Sequence, residues 1–217
     1  MIRNLIFDMD GTLLDTLADL TDSVNHVLSM HGMPARTVSE VRLFVGNGLD
    51  RLMLRALPDG TPAELQTVCC RELRAWYRDH AEVKTRPYEG IAPLLAALRA
   101  RGIGTAVVTN KDQRAAEALT DEWFPGFFDV VAGDDGARPP KPDPAGVLAA
   151  MEKLGASAGD TLFVGDSDVD VRTALNAGLD CVGVLWGFRD RQLLLDTGAK
   201  YIAAVPDDVL RVAEKHG

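Results

Sequence analysis

Near its start the chain runs Leu5-Ile6-Phe7-Asp8-Met9-Asp10-Gly11-Thr12-Leu13-Leu14-Asp15, an apolar stretch that ends abruptly in acid. The apolar side chains between Ile2 and Phe7 are costly to leave in water, so 2–7 is predicted to be a short buried strand. Side chains two apart on an extended backbone point to the same side, which sets Asp8 and Asp10 on one face just past the strand end. Two carboxylates that close repel unless a cation lies between them or one holds a proton. An Asp-rich turn after a strand is common by itself. Partners elsewhere in the chain have to show whether this one is more than a turn.

Between 16 and about 30, Leu17, Leu20, Val24, Val27 and Leu28 recur at three- and four-residue steps, the period of an amphipathic helix, which Gly32 and Pro34 end. Thr37-Val38-Ser39-Glu40 has the pattern of a capping box and opens a short helix to Phe44. Gly46-Asn47-Gly48 interrupts it, and 49–57 resumes. Thr61 at the cap and Pro62 in the first turn start a further helix to about His80. Residues 16–84 are therefore expected to be all-helical. Beyond Tyr88 apolar strands at 103–108, 130–132, 161–164, 181–185 and 201–203 alternate with helices at 91–100, 112–119, 144–154, 168–177 and 206–215. That alternation predicts an α/β fold, a Rossmann-like parallel sheet covered on both faces. The core is assigned to 1–15 and 85–217, with a helical domain, 16–84, inserted after the first strand.

In such a sheet ligands gather beyond the carboxyl ends of the strands. Asp8, Thr109 and Asp166 each end a predicted strand, and Lys141 lies in the loop after another. Carboxylates, a hydroxyl and an ammonium converging on one edge suit phosphoryl transfer, whose transition state spreads negative charge. The net charge of −9 among 217 residues makes local positive charge a necessity for an anionic substrate, and excludes nucleic acid as a partner because no basic stripe exists. Lys141 and a metal ion meet that need, and oxygen ligands from Asp8, Asp166 and a carbonyl favour Mg²⁺. Asp8 is placed to attack phosphorus and form an acyl phosphate. Asp10 is placed to protonate the leaving oxygen and then to deprotonate the attacking water. Three cysteines, Cys69, Cys70 and Cys181, fit neither a disulfide framework nor a zinc spacing, and His26, His31 and His80 show no metal spacing either. Reduced thiols, no signal peptide and no run of membrane-spanning length lead to the expectation of a cytoplasmic protein without a membrane partner.

Four ordered segments resemble the motifs of the haloacid dehalogenase superfamily: Asp8-Met9-Asp10-Gly11-Thr12, Val107-Val108-Thr109-Asn110, Lys141-Pro142-Asp143-Pro144 and Gly165-Asp166-Ser167-Asp168-Val169-Asp170. Val45-Gly46-Asn47-Gly48-Leu49 and Gly133-Asp134-Asp135 resemble the phosphoglycolate phosphatase group within it. The resemblance implies a helical cap domain over the core and a nucleophile and metal ligand at Asp8. It implies a general acid/base at Asp10 whose main-chain carbonyl is also a ligand, and a third protein ligand at Asp166. Thr109, Asn110 and Lys141 match the groups that hold the phosphoryl oxygens, Gly46, Asn47 and Gly48 a substrate loop of the cap, and Asp170 a supporting acid. The implied activity is Mg²⁺-dependent hydrolysis of a small phosphorylated metabolite, 2-phosphoglycolate first. A pyrophosphatase, a sugar-phosphate phosphatase and a phosphosugar mutase are the alternatives on this fold. A phosphoacceptor signalling module is the rival from another class, but such a module has about half this length. Pro139-Pro140 before Lys141 and the bulky Trp123-Phe124-Pro125-Gly126 connection depart from the family pattern.

Overall fold

A computed structural model describes residues 1–215. The chain divides into two compact units, one made of Met1–Leu14 and Pro87–Gly217, the other of Asp15–Arg86.

In the first unit β1 (Asn4–Phe7) is buried at every position. It lies inside a six-stranded sheet with β4 (Gly104–Asp112), β5 (Val130–Asp134), β6 (Thr161–Gly165), β7 (Asp180–Val184) and β8 (Tyr201–Ala203). The order is β5-β4-β1-β6-β7-β8, and every pair is parallel. After β1 the chain builds outward through β4 and β5, then returns to β1's other side and builds outward again. Strand order thus reverses at β1, where a doubly wound sheet opens a crevice at its carboxyl edge. Helices α5 (Ile91–Ala100), α6 (Gln113–Trp123), α7 (Ala145–Leu154), α8 (Asp168–Asn176), α9 (Arg191–Thr197) and α10 (Pro206–Lys215) complete the unit.

Alternation along β1 feeds two cores. Leu5 and Phe7 join Val107, Val164, Leu94 and Leu98 on one face, and Ile6 joins Ala106, Val108, Phe163 and Val147 on the other. The bulky connection after α6 belongs to the first core. Phe124 is fully buried, and Phe128 stands edge-on to both Phe124 and Phe7 at 6.0 and 6.1 Å between centroids.

The second unit holds α1 (Leu17–Met30), α2 (Val38–Phe44), α3 (Gly48–Ala56) and α4 (Ala63–His80), around Leu20, Val24, Val27, Val41, Leu52, Met53 and Leu73. Thr37 and Glu40 form the expected capping box. Thr61 does not cap α4. Its hydroxyl donates to the Pro58 carbonyl at 2.6 Å, closing the preceding turn, and Pro62 takes the cap position. Buried Asp19 in α1 accepts from the amides of Lys84 and Thr85 and from the Thr85 hydroxyl, which anchors the chain's exit from this unit. The two crossings between units, β2 (Leu14–Asp15) and β3 (Arg86–Pro87), form a separate two-stranded sheet. Among the described residues no helix is long and apolar enough to cross a membrane.

Candidate active site

Sheet register sets the heights of the candidate residues. Phe7 pairs with Val107 on one side and Val164 on the other, and the Asp8 amide donates to the Val164 carbonyl at 2.9 Å. Thr109 and Asp166 lie two residues beyond those partners, so three strands deliver Asp8, Thr109 and Asp166 to one edge. Lys141 reaches the same edge from the loop between β5 and α7. Its Nζ lies 2.7 Å from Asp8 Oδ1 and 2.6 Å from Asp170 Oδ1. All five residues are buried.

Local chemistry explains each placement. Asn110 Oδ1 accepts the Lys141 amide at 2.7 Å and its Nδ2 donates to the Lys141 carbonyl at 3.1 Å, so this side chain grips the lysine loop's backbone. Ser167 and Asp170 form a capping box at the start of α8: Asp170 Oδ2 accepts from the Ser167 amide and hydroxyl while Oδ1 takes Lys141. Ser167 takes the N-cap position, and Asp168 is the first helical residue. The hydroxyl of Ser167 reaches the Asp170 amide, and the Asp168 carboxylate turns to Arg172 and Arg189 at 3.4 and 3.6 Å.

Asp166 Oδ1 accepts the Thr12 hydroxyl at 3.2 Å and Oδ2 accepts the Phe188 amide at 2.7 Å. The loop carrying Phe188 is pinned in turn, because Trp186 Nε1 donates to the Thr12 carbonyl at 2.9 Å. Asp10 faces a different partner. Its Oδ1 lies 2.9 Å from Nζ of Lys111, a buried lysine whose amide donates to Thr109 Oγ1 at 3.3 Å. Gly46, Asn47 and Gly48 lie in the helical unit, where Asn47 Oδ1 accepts from Arg55 Nη2 at 2.8 Å.

Electrostatics follow from burial and crowding. Loss of solvent, then the nearby charge of Asp170, push the Asp8 carboxyl up to about 7 against the opposing pull of Lys141. Asp166 is pushed well above the ordinary carboxylate range by burial and by Asp170 and Asp8. Burial works against the Lys141 ammonium, but Asp170 and Asp8 outweigh it and hold its pKa above the usual lysine value.

Asp8, Asp166 and Asp170 each offer a carboxylate oxygen, all within 4.8 Å of one another. Three buried acids around one ammonium can ionise together only if a further counter-ion joins them; without it, protons stay on Asp8 and Asp166. The donors are all oxygen, the set a hard divalent cation takes. The residues therefore fit such an ion. Asp10's carboxylate is not in this cluster, and Asp170's is.

Sequence reasoning passed over Lys111, Thr12 as a partner of Asp166, and the segment Trp186-Gly187-Phe188. Lys111 carried a readable signal, since it follows Thr109-Asn110 directly at the end of an apolar strand. The later segment carried none, because its contribution to Asp166 is a backbone amide.

These features coincide with a known family. Residues 5–184 match the model of the haloacid dehalogenase-like hydrolases, and the chain belongs to that family. Its relatives within it include the phosphoglycolate phosphatase of Pseudomonas putida, 38% identical over 191 residues, which are 86% of this chain and 70% of that protein. That of Neisseria gonorrhoeae is 34% identical, over 89% of this chain and 84% of the other. A solved structure from Lactobacillus delbrueckii subsp. bulgaricus, named a candidate phosphoglycolate phosphatase, superposes with a TM-score of 0.92 at 30% identity, over 97% of this chain and 98% of that one.

Proposed function

We propose that this protein is a Mg²⁺-dependent phosphatase that hydrolyses a small phosphorylated metabolite, 2-phosphoglycolate first, through a phosphorylated Asp8. The observation that carries this reading is the cluster at the sheet edge: Lys141 between Asp8 and Asp170, with Thr109 and Asp166 delivered beside them from neighbouring strands. The phosphatases among its relatives supply the substrate class.

In this reading Asp8 attacks phosphorus, the bond to the leaving oxygen breaks, and Asp10 gives that oxygen its proton. Water then attacks the acyl phosphate, Asp10 takes a proton from it, and inorganic phosphate leaves with Asp8 restored. Lys141 steadies charge on Asp8 and on the phosphoryl oxygens, and the Thr109 hydroxyl donates to those oxygens. Lys111 holds the Asp10 side chain. Asp8, the Asp10 carbonyl and Asp166 would hold Mg²⁺, which would supply charge neutralisation for the acids and the phosphoryl group. The helical unit serves as a cap whose Gly46-Asn47-Gly48 loop selects the substrate. The three buried free cysteines suit a reducing, cytoplasmic setting.

The test is a panel of phosphorylated metabolites assayed with and without Mg²⁺. Hydrolysis should require the ion, and kcat/KM for 2-phosphoglycolate should exceed that for sugar phosphates by ~10-fold or more. Equal kcat/KM across the panel refutes the substrate, and full activity in chelator refutes the metal.

A further inference from the structure

A second group of metal-ligating side chains comes together in the helical unit, remote in sequence from every motif above. His31 follows the last turn of α1, and Cys69 and Glu72 are three apart on α4, hence on one face of that helix. One ligand atom from each lies within 4.8 Å of the other two, and His31 Nε2 is 2.6 Å from a Glu72 carboxylate oxygen. Cys69 is fully buried, whereas the side chains of His31 and Glu72 are 22% and 27% exposed, so the cluster is open to solvent on their side. The neighbouring Cys70 does not share it: its thiol donates to the Asp50 carbonyl at 3.7 Å. His31 also sits where α1 ends and its dipole is negative, which favours a cation.

We propose that His31 Nε2, Cys69 Sγ and a Glu72 oxygen form a Zn²⁺ site that clamps the end of α1 to α4. One nitrogen, one sulfur and one oxygen make a donor set that selects Zn²⁺, while the all-oxygen cluster at the sheet edge takes a harder ion. Three protein ligands leave the fourth tetrahedral position to water, consistent with the open side of the cluster. On binding, the Cys69 thiol gives its proton to solvent, and the ion replaces the direct His31–Glu72 contact. Sequence spacing hides the site because its ligands come from two helices.

The experiment is a titration of the tag-free full chain with Co²⁺ in excess Mg²⁺, which keeps the acidic cluster occupied. A thiolate ligand gives Co²⁺ an intense near-ultraviolet charge-transfer band that no carboxylate site produces. The expected result is a band that saturates at one equivalent and disappears on adding Zn²⁺. Cys69→Ser should abolish it, and His31→Gln and Glu72→Gln should each weaken the binding that produces it. Cys70→Ser should leave it intact. The wild-type spectrum decides by itself should a variant fail to fold: no band overturns the proposal. A band that survives Cys69→Ser in a folded variant overturns it as well. Failure of the phosphatase assays has no bearing on this result.

Discussion

Asp8 and Asp10 stand two residues apart and meet different partners. Asp8 shares Lys141 with a second buried acid, Asp170, whereas Asp10 has Lys111. Separate environments for two carboxylates are how one site assigns one to attack and the other to proton transfer. Asp8→Asn keeps the shape and removes the nucleophilic oxygen, so kcat should fall by at least ~10³-fold. The melting temperature should stay near or above the wild-type value, because one of three crowded acids is gone. Asp10→Asn should cost ~10²–10⁴-fold, the usual worth of a general acid/base. Rapid-quench measurement should show that Asp10→Asn slows both formation and hydrolysis of the phosphorylated enzyme. Lys111→Met tests the positioning of Asp10. Here kcat should drop while KM changes little, since Lys111 holds Asp10 and leaves binding to Thr109 and Lys141. A large rise in KM with kcat unchanged would instead make Lys111 a substrate ligand.

At the scale of elements, the start of α8 does two jobs with one side chain. Asp170 caps the helix through Oδ2 and holds Lys141 through Oδ1. Ser167→Ala removes the cap and one donor to Asp170 Oδ2 but leaves the Lys141 contact, with an expected cost of about 0.5–2 kcal/mol. Asp170→Ala also strips a partner from a buried ammonium, a change expected to cost about 3–5 kcal/mol. Asp170→Asn keeps the shape and one acceptor oxygen but turns the other into an NH2 donor, so it gives up either the cap or the Lys141 contact and should fall between them; denaturant titration of the three variants gives the order. The helix itself was readable, since Ser167, three positions before Asp170, carries the pattern and apolar residues follow. The same holds for β1, β4 and β6, whose apolar runs end in the polar residues that gather at the edge. What could not be read depends on contacts made across the fold. Helix α9 is short, and of its residues only Leu194 is buried, so its periodicity is faint. Gly187 looks like any loop glycine, yet a Cβ there would collide with Asp166 and with the Gly11 carbonyl. Neither neighbour is near Gly187 in sequence. Nor could the lysine loop's attachment to Asn110 be foreseen, since a side chain expected to face substrate is engaged by the backbone of Lys141.

For the whole molecule the excess of buried acid sets a linkage between pH, metal and stability. Asp8 has its folded pKa raised to about 7 from an ordinary value near 3.8, and Asp166 is raised in the same direction. Between those values the folded chain holds protons that the unfolded chain has released, so stability falls as pH rises through the window. Without metal, Asp8 should therefore stabilise the fold fully only below about pH 4 and lose that contribution by about pH 7, with Asp166 acting in the same direction. A divalent ion reverses the cost by binding the ionised carboxylates, and it binds the folded state alone. Melting temperatures in chelator and in Mg²⁺ should then diverge with pH, with a larger Mg²⁺-induced rise at pH 8 than at pH 5.5. Asp8→Asn should shrink that divergence, because it removes a group that must lose its proton before the ion can bind. A Mg²⁺ effect of equal size at both pH values would mean that the acids at the sheet edge are not where the ion binds. The overall charge of −9 does not produce this signature, since screening by a monovalent salt at matched ionic strength acts on it equally in both samples.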